Sequence, residues 1–226
     1  PAALKLIHLL LMRPDLASLP QRRLAELSAT AHGGIHALLA GLEEAGYMVR
    51  TRSRVRRLLN PQSLALKWID GYGQRLRRTL LLGTYRRDGD LVGLVPAIRD
   101  VNVLDPGGVV VLGGELVAQR LVGELLRPAS ATVYLPEGVE KRKVMARARL
   151  MSDTRGNVAL VRSFFPPELH LPAPLLVGSD LEGCPCASAL AIQGELTLIP
   201  DVRVAPLREA FAHKILEPML NASGAN

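Results

Sequence analysis

The chain has 226 residues, 48% of them hydrophobic, with 28 Lys and Arg against 21 Asp and Glu. That length suits one large or two small domains, and the apolar fraction excludes general disorder. No apolar run reaches the ~18–20 residues that span a bilayer, and two cysteines one residue apart, Cys184 and Cys186, exclude a disulfide framework and point to a reducing cytoplasm.

In chain order, residues 2–12 read as a helix stopped by Arg13-Pro14; its apolar stretch, Leu4–Met12, is too short for a signal peptide and lacks a small-residue cleavage site. A second helix starts near Pro20, where proline suits the first turn, and runs to about residue 30. Leu24 and Leu27 point inward, with Ala25 and Ala29 small enough for a close crossing. His32-Gly33-Gly34 reads as the turn into a third helix, whose Ile35, Leu38, Leu39 and Leu42 follow the i, i+3, i+4, i+7 stripe. Gly46 stops it as a left-handed cap. A hairpin follows in which Arg50, Arg52, Arg54 and Arg56 recur every second residue, a period that puts them on one face of a strand. Such a row repels itself, and a polyanion explains it more readily than folding does.

Helix, turn, helix and basic hairpin is the order of a winged helix-turn-helix domain. Residues 1–87 hold 15 Lys and Arg against 5 Asp and Glu, the remainder 13 against 16, so the N-terminal part is the one expected to meet DNA. The expected DNA-binding residues fall in two groups. His32, Gly33, Gly34 and His36 lie at the start of the recognition helix, which carries no Arg, Asn or Gln for bidentate base contacts. Arg22, Arg23, Arg50, Arg52, Arg54, Arg56 and Arg57 are expected to contact phosphate and set register, with wing arginines sensing groove shape.

After the hairpin, Asn60 as N-cap and Pro61 as first residue open a helix to about residue 78, with Leu64, Trp68 and Tyr72 as a core stripe. Further on, residues 109–112 and 131–135 read as strands and Gly113-Gly114 as a tight turn into a helix lasting to about 126. Residues 137–145 read as a charged helix, 147–151 and 158–161 as two arms of a hairpin, 196–200 as a strand, and 206–220 as the last helix. The alternation suggests a small mixed α/β domain over 88–226, after a winged-helix domain and linker helix over 1–87. Cys184-Pro185-Cys186 lacks partners for a zinc site. His170, Asp180 and His213 have no nucleophile motif to join them, so neither catalytic residues, metal nor cofactor is assigned.

Several segments together resemble the AbiEi-type antitoxins of type IV toxin–antitoxin (abortive infection) systems. They are Arg57-Leu58-Leu59-Asn60-Pro61-Gln62-Ser63-Leu64, Leu80-Leu81-Leu82-Gly83-Thr84-Tyr85-Arg86, Leu112-Gly113-Gly114-Glu115-Leu116-Val117-Ala118 and Leu126-Arg127-Pro128 with Ala131-Thr132-Val133-Tyr134-Leu135. Arg149-Leu150, Gly156-Asn157-Val158 and Ala173-Pro174-Leu175-Leu176-Val177 add to them. The resemblance implies a non-enzymatic, cytoplasmic autorepressor that binds promoter repeats through its winged helix. Its C-terminal domain would counter a nucleotidyltransferase-class toxin without a stable complex. The alternative reading is a winged-helix regulator whose C-terminal domain binds a ligand or protein, without a toxin.

Overall fold

The computed structural model describes residues 1–51, 55–104, 107–123, 126–176, 179 and 181–224. Helix α1 (Ala2–Met12) ends where Pro14 bars its continuation, and a 3-10 turn, Pro14–Ser18, follows. Helices α2 (Gln21–Leu27) and α3 (His32–Glu44) pack against each other. α2 is shorter than its sequence suggests. The Ser28 hydroxyl donates to the Leu24 carbonyl and bonds the Thr30 hydroxyl, and Ala29 takes a φ of 47°. The turn is therefore 28–31, and Gly33 and Gly34 lie inside the first turn of α3 rather than in the connection.

α3 buries Ile35, Leu39 and Leu42. Gly46 ends it with φ 75°, which lets Tyr47 N–H reach the Leu42 carbonyl. Strands β1 (Met48–Arg50) and β2 (Arg56–Leu58) then pair antiparallel, Met48 opposite Leu58 and Arg50 opposite Arg56.

Asn60 occupies the N-cap position of α4 (Pro61–Gly71), but in left-handed backbone and without a capping side-chain bond; only Pro61 acts as expected. A π-helical turn, Tyr72–Leu76, joins α4 to α5 (Arg77–Leu80). Leu64, Trp68 and Tyr72 are buried as the periodicity requires. Trp68 stacks on Tyr72 at 4.9 Å, and its indole N–H donates to the Leu4 carbonyl at 2.7 Å, so the ring is buried with its polar edge satisfied.

The second half is built on a five-stranded sheet of β3 (Leu81–Arg87), β4 (Val111–Gly113), β5 (Ala131–Leu135), β6 (Leu150–Ser152) and β7 (Val158–Arg162), in the order β4-β5-β7-β3-β6. The β5–β7 pair is parallel and the others antiparallel. All five residues of β5 are buried, so the sheet is covered on both faces. β6 and β7 are not the expected hairpin: β3 lies between them and pairs with both. The intervening turn instead arches over β3. Asp153 N–H donates to the Thr84 carbonyl and Arg87 N–H to Asn157 Oδ1. A Cβ on Gly156 would collide with the Tyr85 backbone, so only glycine lets the arch descend this far. A boundary at 87/88 falls at the end of β3, whose strand partners all lie beyond it.

Helices α6 (Leu94–Leu104), α7 (Glu115–Val122) and α8 (Lys141–Arg147) flank the sheet. α8 begins later than expected and α7 ends earlier, at Gly123. Residues 196–200, read as a strand, mostly complete α9 (Ala189–Thr197) and its exit. α9 is buried from Ala189 to Leu196, and a helix enclosed on all sides shows no amphipathic period to tell it from a strand. α10 (Ala205–Phe211), a π turn Ala212–Leu216 and α11 (Glu217–Gly224) finish the chain, with α11 packed on α1 and α4. One contiguous core therefore joins both halves. Among the described residues no helix is long and apolar enough to cross a membrane.

His8, on α1, is enclosed by Trp68, Phe164 and Phe165, with Nε2 2.7 Å from Ser188 Oγ. Burial lowers its pKa to about 3, so it is neutral in the fold. An unfolded histidine protonates near 6.5, so the unfolded state binds the extra proton between these values and stability is lost as pH drops through that window. The slope of unfolding free energy against pH between 6 and 5 should be shallower in His8→Phe than in the parent, measured by urea titration. Equal slopes would mean His8 is not neutral in the native state.

Candidate nucleic-acid interface

The N-terminal elements bring the expected residues together in two groups. On α2, Arg22 and Arg23 are solvent-facing, and both reach Glu26, at 3.5 and 2.9 Å. Arg23 first, and then Arg22, hold the Glu26 carboxyl below its ordinary range. Across the crossing, Gln21 Nε2 lies 3.3 Å from His36 Nδ1, which ties α2 to α3. His32, Gly33, Gly34, His36 and Ala37 all lie exposed at the start of α3. No side chain caps this end, so the positive end of the helix dipole is left uncapped there, with Gly34 N–H bonded back to the Ala31 carbonyl. A Cβ built on Gly33 or Gly34 meets nothing within 4 Å, so the fold itself does not demand glycine there.

The hairpin corrects one premise of the sequence reading. Arg50 and Arg56 are directly paired and share a face, as the alternation requires. They do not simply repel each other, because Glu43 of α3 lies against them: Arg50 Nε is 2.7 Å and Arg56 Nε 4.0 Å from Glu43 Oε1. Arg56 is also largely buried and donates to the Ala17 carbonyl at 3.3 Å, so part of its role is to fasten the hairpin to the turn after α1. Arg57 pairs with Val49 and is exposed on the other face. Arg52 and Arg54 lie outside the described residues.

Two carboxylates are buried beside the sheet, and sequence reasoning passed over one of them, Glu195. Glu195 on α9 accepts from Arg77 Nε at 2.8 Å, from Thr132 Oγ1 at 2.9 Å and from the Tyr72 hydroxyl. Tyr134 O–H lies 3.1 Å from that of Tyr72. Burial first, and the neighbouring Glu195 carboxylate, push both tyrosines well above their ordinary pKa, with Tyr134 adding to the rise at Tyr72, so they stay protonated donors. Burial alone would lower Arg77, but Glu195 outweighs it and the guanidinium is held charged. Glu115 is wholly buried and takes a bidentate pair from Arg203 at 2.6 and 3.1 Å, plus Ser130 Oγ and Ala129 N–H. The signal available was a lone acid inside an apolar run, Ala189-Leu190-Ala191-Ile192-Gln193-Gly194-Glu195-Leu196. A charge in such a run needs a buried partner. These networks saturate their carboxylates and read as structural clamps.

Gly113 ends β4 and Gly114 opens α7, the tight turn the sequence suggests. Cys184 and Cys186 are buried free thiols. Burial pushes Cys184 up to about 11 and Cys186 further, so neither is an activated thiolate. Burial also lowers His170, to about 4. His213 is exposed beside Glu217, and Asp180 lies outside the described residues. Among the described residues, no three or more His, Cys, Asp or Glu side chains cluster as metal ligands.

A family model described as "Transcriptional regulator, AbiEi antitoxin, Type IV TA system" matches residues 57–203. No curated protein and no solved structure matches the chain.

Proposed function

Because the chain belongs to the AbiEi antitoxin family of type IV toxin–antitoxin transcriptional regulators, we propose that it represses its own operon through a winged helix-turn-helix formed by α1, α2, α3 and the β1–β2 hairpin. The observation that carries this reading is the placement of an exposed helix start (His32, Gly33, Gly34, His36) and a basic hairpin at opposite ends of the same helix α3. In this reading α3 enters the major groove and the wing arginines, Arg50, Arg52, Arg54, Arg56 and Arg57, meet phosphate or the adjacent minor groove. Arg22 and Arg23 add phosphate contacts from α2. The sheet-bearing half counters a nucleotidyltransferase-class toxin in the cytoplasm, with no lasting complex needed.

The test is a salt titration of binding to the chain's own upstream DNA against a scrambled duplex of equal length. Tight, salt-sensitive binding that prefers the native sequence is expected. Equal binding to both duplexes would refute autorepression through specific operator recognition. Glu43 supplies a sign test, because it competes with phosphate for Arg50 and Arg56. Glu43→Gln should strengthen binding to any duplex and steepen the salt slope by about one. It should cost about 1 kcal/mol of stability, since Glu43 is half-buried while its closer partner, Arg50, is exposed. Weaker binding in this variant would mean that Glu43 orders the wing rather than masking it.

A further inference from the structure

Gly33, Ala37, Ala40 and Glu44 follow one another along α3 at spacings of four, three and four, the rhythm of a coiled-coil seam, and all four are exposed. The row carries no cation. Its one charged group, the Glu44 carboxylate, makes no ion pair or hydrogen bond among the described residues. The fold does not require small residues here, since a Cβ on Gly33 or Gly41 meets nothing within 4 Å. Beside the row, between α1 and α3, lies an apolar groove of about 240 Å³, walled by Ala3, Leu6 and Ile7 on one side and Ala37, Leu38 and Gly41 on the other. A phosphodiester backbone has no use for such a groove, so this flank suits a protein surface.

The charge along α3 says which protein. Its start is the uncapped, positive end of the helix dipole, with His32 exposed there. Its end carries the free Glu44, while Glu43 is already held by Arg50. Two antiparallel copies of α3 set each Glu44 against the other's uncapped start and bring Ala37 of one opposite Ala40 of the other. A partner of uniform charge satisfies only one end of the helix. Small residues at the crossing let the axes approach to the lower end of the usual range of about 8–10 Å, so the apolar flanks meet as well.

We propose that the exposed face of α3 and the adjoining α1–α3 groove form an isologous contact with a second copy of this chain, the two α3 helices running antiparallel. The contact covers the start of α3 and therefore competes with operator docking through that helix. It stands on the chemistry of this face and does not need the operator reading to be right.

The experiment is sedimentation velocity on the full chain over about a hundredfold range of concentration, with ¹⁵N amide shifts followed on the same samples. A monomer–dimer equilibrium is expected, with shifts at Ala37, Ala40, Gly41 and Glu44 and association that weakens as salt rises. Ala40→Glu puts a bulky charge in the row and should weaken the dimer about tenfold or more. Glu44→Lys should weaken it about threefold, although lysine suits a helix end better than glutamate, so a held or raised melting temperature separates lost association from misfolding. Met151→Lys, exposed on β6, should leave the dimer unchanged. The proposal is overturned by a monomer at every concentration, by a dimer that Ala40→Glu leaves intact, or by concentration-dependent shifts confined to the sheet-bearing half. Operator duplex added to the same samples separates the two readings. DNA that dissolves the dimer and itself shifts the α3 amides supports both. DNA binding that leaves the dimer and its α3 shifts in place removes α3 docking only, and DNA binding by a chain that stays monomeric without DNA removes the dimer only.

Discussion

Replacing Gly33 and Gly34 together by alanine should stabilise the protein and at the same time weaken operator binding by about five-fold or more. The first half follows from local physics. Both residues sit in the first turn of α3, neither has positive φ, and an added Cβ meets nothing within 4 Å. Alanine is favoured over glycine in a helix by up to about 1 kcal/mol per site, less near an end, so the melting temperature should rise. The second half follows from the proposed docking. If the start of α3 lies in the major groove, two methyl groups are forced into a close-packed contact, with a penalty of roughly 1–3 kcal/mol. Thermal melts and binding isotherms on one preparation read both signs, and a rise in stability rules out misfolding as the cause of lost binding. Unchanged affinity would place α3 away from the DNA and leave the wing as the contact.

Glu195→Ala should be the most damaging single change in the sheet-bearing half, lowering stability by about 3–5 kcal/mol. The carboxylate is almost fully enclosed, with Arg77, Thr132 and Tyr72 all donating to it. Its removal leaves the largely buried Arg77 guanidinium unpaired and takes an acceptor from the Thr132 and Tyr72 hydroxyls, groups that come from α5, β5 and the π turn before α5. Adding Arg77→Met to Glu195→Leu should recover much of the loss, because a buried pair replaced by apolar groups no longer has an isolated charge. Denaturant titrations of the two single variants and the double variant measure the coupling. Additive losses would show that Arg77 and Glu195 do not act as a pair.

The fold was most legible where one face meets solvent. The stripe Ile35, Leu39, Leu42, the stop at Gly46 and the core run Leu64, Trp68, Tyr72 all follow from a single helix having a wet side and a dry side. The strand of 131–135 was equally plain, being short, β-branched and bounded by turn residues. Legibility failed where both sides are dry: α9 carries apolar residues around its whole circumference, so its end resembled a strand. It failed again at β6 and β7, since nothing local tells a hairpin turn from an arch that crosses a third strand. At the candidate interface, the spacing of Arg50 and Arg56 correctly placed them on one face, while the charge partner Glu43 came from a neighbouring helix that spacing cannot place.

The sequence by itself determined the helical stripes, the turn and cap at Gly46, the basic hairpin and the family, because these rest on periodicity and residue order within short windows. Only the tertiary structure decided which cations are neutralised, that β3 divides β6 from β7, and that Glu195 and Arg77, 118 residues apart, share one buried site. Pairings of this kind depend on which segments the core brings together, and burial then fixes their chemistry, since a charge withdrawn from water must find a partner wherever along the chain that partner lies.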